Sequence, residues 1–143
     1  MRAMLILIVS LLLVSSGWGQ AHWPEFRGPA HNGHAASADL PVSWSETANV
    51  KWKVPVHGRG WSTPVIWGDQ IWLTTAAEDG KTMSAMCVSL ASGEMIHGII
   101  VFKNKKPARI NETNTYASPS PLIEERRFYR VTALCRRPDL LPG

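Results

Sequence analysis

Apolar positions in this chain fall in short alternating stretches and short runs, and after the first 21 residues no segment sustains a helical period. Val50, Trp52, Val54 and Val56 alternate with Lys51, Lys53 and Pro55, which predicts a strand with one apolar and one wet face. Pro55 has no N–H to give a ladder, so that strand belongs at a sheet edge. Val65-Ile66-Trp67 and Ile71-Trp72-Leu73 are β-rich runs separated by Gly68-Asp69, and Pro64 stands where no ladder donor is missed. That pattern predicts a tight hairpin with Gly68 at a positive φ. Asp79-Gly80 and Ser92-Gly93 mark two more turns and bound strands predicted over 83–90 and 95–102. In the first of these Met86, Val88 and Leu90 share the face opposite Cys87 and Ser89.

The hairpin pattern recurs. Thr63-Pro64-Val65-Ile66-Trp67 and Ile71-Trp72 are answered by Ser120-Pro121-Leu122-Ile123-Glu124 and Phe128-Tyr129 at an offset of 57 residues. A supersecondary unit returning at fixed spacing is the mark of repeat architecture, and four antiparallel strands in about 40 residues match one propeller blade. The predicted fold is therefore all-β: an antiparallel four-stranded blade of a β-propeller, followed by the start of a second. Such sheets are apolar on both faces and bury themselves only against neighbours.

Composition agrees, with ten Pro, eleven Gly and seven Trp in 143 residues. Arg2, an apolar run over 4–14 broken only by Ser10, and Gly19-Gln20-Ala21 predict a cleavable secretory signal over 1–21. The run is far below the roughly 20 residues a bilayer requires, so no stable span is expected, and the product is expected to be exported, periplasmic or secreted. No Cys lies near the cleavage region to suggest lipid attachment. The net charge of +4 does not point to nucleic acid. Residues 22–125 hold nine Lys/Arg against ten Asp/Glu, and the excess comes from Arg2 and from five Arg among residues 126–143. Two cysteines, Cys87 and Cys135, do not make a disulfide scaffold, whether or not they pair. Cys87 falls within an apolar strand and reads as a small buried residue.

Candidate chemistry is sparse. His22, His31 and His34 cluster in sequence, without the Cys or carboxylate companions a metal frame needs. Gly58-Arg59-Gly60 lacks the third glycine and following helix of a phosphate loop. Ser62, His57 and Asp69 supply the residue types of a nucleophilic triad without a nucleophile elbow. Lys103, Lys105, Lys106 and Arg109 read as a solvated loop, and Asn111-Glu112-Thr113 fits a glycosylation sequon. No catalytic, cofactor or metal residue is assigned.

The organisation expected is a lead-in with one edge strand over 22–60, a first blade over 61–102, a polar connector over 103–117, and a second unit from 118. Beyond Tyr129 polar and apolar residues cease to alternate, so the Arg-rich end is expected to be a truncated or frame-shifted continuation of a longer gene.

His22 to Pro29, Trp44 to Lys53, Gly60 to Asp69 and Cys87 to Gly93 together resemble the N-terminal part of exported PQQ-like β-propeller repeat proteins. Where that family's repeat ends Thr-Gly-x-x-x-Trp, this chain has Ser92-Gly93 with His97 at the Trp position. The resemblance implies a non-catalytic scaffold for protein or glycan contact at the cell envelope, present as a fragment without cofactor. Its alternative implication is the N-terminal part of a quinone-dependent dehydrogenase holding PQQ and calcium. That chemistry draws groups from many blades, and the adjacent cysteine pair typical of those enzymes is absent.

Overall fold

The computed structural model describes residues 22–35, 40–124 and 127–129. The expected signal over 1–21, the Arg-rich end from residue 130 and Cys135 lie outside the described residues. The chain is all-β, with seven strands and no helix among the described residues. They are β1 (His22–Trp23), β2 (Val65–Trp67), β3 (Gln70–Ala76), β4 (Thr82–Ser89), β5 (Met95–Lys103), β6 (Leu122–Glu124) and β7 (Arg127–Tyr129). The first five form one antiparallel sheet in the order β1-β2-β3-β4-β5, and β6 and β7 form a separate hairpin.

The β2–β3 turn follows from Gly68, whose φ of 62° supplies the positive dihedral that a two-residue hairpin turn requires. Val65 then pairs with Trp72, Ile66 with Ile71 and Trp67 with Gln70. In the second hairpin Leu122 pairs with Tyr129, Ile123 with Phe128 and Glu124 with Arg127. Each of these three pairs is the first hairpin's pair displaced by 57 positions, so the recurrence in sequence is also a recurrence of register. Register fixes which face every side chain takes, which makes the match stricter than the motif alone.

β4 is the buried centre of the sheet, with Met83 to Val88 all inaccessible. The register sets its side chains in rows across β3, β4 and β5. On one face Ala76, Met83 and Phe102 form a row covered by Tyr116 and Ala117 from the connector, and Trp72, Cys87 and His97 form another. On the opposite face lie Ile71, Val88 and Met95, then Leu73, Met86 and Gly98. The connector is thus not uniformly solvated. Its charged part is exposed, while Thr115 and Ala117 are buried.

One expectation about the lead-in is corrected. Residues 50–56 form no strand. The single large residue of the stretch, Trp52, instead turns its indole onto the Gly93 turn and donates its Nε1–H to Leu90 O at 3.1 Å. Val54 is half-buried while Val50 and Val56 stay exposed, so the alternation reports partial burial around the Trp52 anchor and no ladder. The edge beside β2 is taken by β1, where His22 pairs with Trp67 and Trp23 with Ile66. Trp23 is half-buried against Gly28, and Phe26 is exposed beneath the Arg27 guanidinium at 5.6 Å.

Residues 59–67 continue β2 backwards along β3 with one interruption. Arg59 and Ala76 exchange both backbone hydrogen bonds, at 2.8 and 3.0 Å. Between that bridge and Val65 the Ser62 hydroxyl replaces the ladder, accepting from Thr74 N–H at 3.2 Å and donating to Thr74 O at 3.1 Å. The backbone donors freed by the interruption turn to the start of the second unit. Trp61 and Ser62 N–H donate to Ala117 O, and Thr63 N–H donates to Ser120 Oγ at 2.9 Å. Pro24 O accepts from Ile123 N–H at 2.9 Å, so the lead-in joins the same seam. Each of these backbone groups thus has a partner although the β2–β3 ladder is interrupted.

Candidate interaction surface

The residue types of a triad are present and are not assembled. Ser62 Oγ is committed to both backbone groups of Thr74. His57 contributes its carbonyl, which accepts from the buried Thr75 Oγ1–H, and Asp69 contributes its own carbonyl to Leu90 N–H at 2.7 Å. Both residues therefore hold the backbone, and no hydrogen bond joins their side chains to Ser62.

The three lead-in histidines diverge. His22 lies on Trp67 with ring centroids 4.1 Å apart, and its Nδ1 accepts from Gly68 N–H at 3.3 Å. That contact seals the hairpin turn. His31 approaches Glu25 Oε1 at 3.4 Å, while the His34 backbone N–H donates to Asn32 Oδ1. Among the described residues no group of three or more His, Cys, Asp or Glu is placed to hold a metal.

Gly58 and Gly60 serve close packing rather than a phosphate. A Cβ on Gly58, whose φ is +72°, would meet Ala76 O at 2.4 Å, and one on Gly60 would meet Thr74 O at 2.6 Å. Only glycine lets this segment lie so near β3. In the sequon, Asn111 is exposed and its Oδ1 accepts from Thr113 N–H at 2.9 Å and Thr113 Oγ1–H at 2.8 Å.

Cys87 is fully buried in the row between Trp72 and His97, whose rings stack at 5.8 Å. Burial, reinforced by the nearby Asp69 carboxylate, pushes its thiol up to about 11. A thiol with so little thiolate at neutral pH is an inert packing group and not a nucleophile. At the β3–β4 turn the Lys81 backbone N–H, donating to Asp79 Oδ1 at 2.9 Å, holds the Asp79 carboxyl below its ordinary range.

What the described surface offers is apolar area. Met95, Ile96, Ile99 and Ile100 of β5 are all exposed, Ile99 by 46% and Ile100 by 56%. Trp44 and Trp61 add two large exposed rings. Isolated apolar residues on a surface are ordinary, but four exposed ones on one nine-residue strand, distributed over both faces at the edge of the sheet, are more than isolated exposure accounts for. Sequence reasoning foresaw apolar blade faces without locating the exposed part, because exposure depends on which strand ends the sheet. No helix among the described residues is long and apolar enough to cross a membrane. No known protein family, curated protein or solved structure matches the chain.

Proposed function

We propose that this chain is a repeat module of the exported PQQ-like β-propeller kind, a non-catalytic scaffold for protein or glycan contact at the cell envelope. The observation that carries the reading is the hairpin that returns with identical register 57 positions on. Four consecutive antiparallel strands, β2 to β5, are the size and order of one propeller unit. The exposed apolar residues of β5 are the sort of surface that a neighbouring unit covers. The Ser62 hydroxyl, the His57 carbonyl and the His22 ring are each committed to a structural hydrogen bond, which favours a scaffold over a catalyst.

Two measurements test it. The genomic sequence following the coding region is expected to hold further Pro-aliphatic hairpins at comparable spacing, and their absence in every frame would count against a repeat protein. The purified chain is expected to leave the absorbance of added pyrroloquinoline quinone and calcium unchanged. A spectral shift accompanied by alcohol oxidation would overturn the non-catalytic assignment.

A further inference from the structure

The connector holds the one Asn-x-Ser/Thr triplet of the chain, Asn111-Glu112-Thr113, followed by Asn114 and not by proline. All three residues are exposed. Asn111 opens a turn in which its backbone carbonyl accepts from Asn114 N–H at 2.9 Å. Its side-chain Oδ1 accepts twice from one residue, from Thr113 N–H at 2.9 Å and from Thr113 Oγ1–H at 2.8 Å. Two other asparagines make only the first of these bonds. Asn32 Oδ1 accepts from His34 N–H at 2.9 Å and Asn104 Oδ1 from Lys106 N–H at 3.0 Å, and neither partner has a hydroxyl to add. Asn49 differs again, since its Nδ2 already donates to Ser43 O. Asn111 Nδ2 makes no hydrogen bond among the described residues. Asn111 also forms part of the wall of an open cavity of about 510 Å³ lined by Arg109 to Thr113, so a bulky donor has room beside it.

We infer that Asn111 is an N-glycosylation site, the acceptor of an oligosaccharide from a polyprenyl diphosphate donor, with Thr113 as the positioning residue that prepares it. An amide nitrogen is a weak nucleophile because its lone pair is delocalised onto the carbonyl oxygen, and it attacks as its proton leaves. Negative charge then gathers on Oδ1, where both Thr113 donors already stand, and a hydrogen bond strengthens as its acceptor gains charge. In the transfer Nδ2 bonds to C1 of the first sugar, the bond from C1 to the phosphate oxygen breaks, and polyprenyl diphosphate leaves with the bonding pair. The Nδ2 proton passes to a carboxylate base of a membrane-bound oligosaccharyltransferase, and nothing is oxidised or reduced. The turn is closed by contacts two and three residues apart, so it needs no other part of the sheet to form.

The inference uses the connector alone and does not depend on the propeller reading. Meeting such an enzyme in a cell requires export, so the test is run in solution, where a failure of the site and a failure of export are told apart. The folded full chain is incubated with a detergent-solubilised oligosaccharyltransferase and its lipid-linked oligosaccharide, and an unrelated Asn-x-Thr peptide shows that the enzyme is active. Mass mapping is expected to place the glycan on Asn111 and on no other asparagine, and Asn111→Gln to abolish transfer. Thr113→Val is expected to lower the rate by about tenfold or more, with the loss in kcat because the lost bond strengthens only as the proton leaves. Thr113→Ser restores the hydroxyl and is expected to stay within about threefold of wild type. An unmodified Asn111 beside a modified control peptide, transfer to a different asparagine, or a Thr113→Val loss confined to KM would each overturn the inference. Both altered side chains are exposed, so loss of folding does not confound the comparison.

Discussion

Thr63 donates its backbone N–H to Ser120 Oγ at 2.9 Å, and the two residues hold equivalent places, 57 positions apart, in hairpins of the same register. One unit thus satisfies the donors of the other at the point where its own ladder is interrupted. Ser120→Ala orphans a half-buried N–H and is expected to cost about 1–2 kcal/mol, read as a lowered denaturant midpoint with unchanged slope. Ser120→Thr keeps the hydroxyl and is expected to recover most of the loss.

Adjacent threonines on β3 should respond in opposite senses. Thr75 is inaccessible and its Oγ1–H serves the His57 carbonyl, whereas Thr74 Oγ1 is buried without a partner among the described residues. Thr75→Val is expected to destabilise by about 1–2 kcal/mol, because a carbonyl loses its donor. Thr74→Val keeps the shape and removes an unsatisfied hydroxyl, so it is expected to be neutral or stabilising by up to about 1 kcal/mol. Thermal denaturation of the two variants side by side checks the contrast.

Gly93 sits at a φ of +74° directly beneath the Trp52 indole, and a Cβ there would lie 2.6 Å from the ring. Gly93→Ala therefore strains the turn and displaces the ring that bonds Leu90 O, at an expected cost of about 2 kcal/mol or more. The two halves of that cost are separable. In a Trp52→Ala background only the backbone strain remains, and a double-mutant cycle is expected to show positive coupling.

Cys87 should resist alkylation at pH 8 in the folded chain and react promptly once denaturant is added. Burial holds its folded thiol up at about 11, above the ordinary value of 9.0. Between those values the unfolded chain loses the proton and the folded chain keeps it, so stability is expected to fall as pH rises through that window. Cys87→Ala is expected to flatten the dependence, as measured by unfolding at pH 8.5, 9.5 and 10.5.

Strands β2 to β5 were legible because their apolar runs are bounded by Gly68, Gly80 and Gly93, each at a positive φ that few other residues tolerate. The alternation over 50–56 misled for a physical reason. Period two reports which side chains want burial, and Trp52 finds it through an indole contact across 38 positions instead of a ladder. β1 was invisible because two residues cannot display a period. The exposure of β5 and the shifts in its pairing with β4 at Ile96 and Val101 depend on partner strands and leave no local trace. The burial of Cys87 was readable from its apolar neighbours alone. The roles of Ser62 and Ser120 were not, because each takes the place of a ladder bond whose absence only the assembled sheet reveals.

His22 meets Gly68 across 46 positions, and the pairing of β1 extends for two residues only. Closing so long a loop for so few bonds gives a slow and weakly rewarded step. β1 is thereby expected to dock only after the β2–β3 hairpin that it borders has formed. During synthesis His22 and Trp23 therefore wait, off the sheet, until that hairpin has emerged, which leaves a window for a chaperone to hold them.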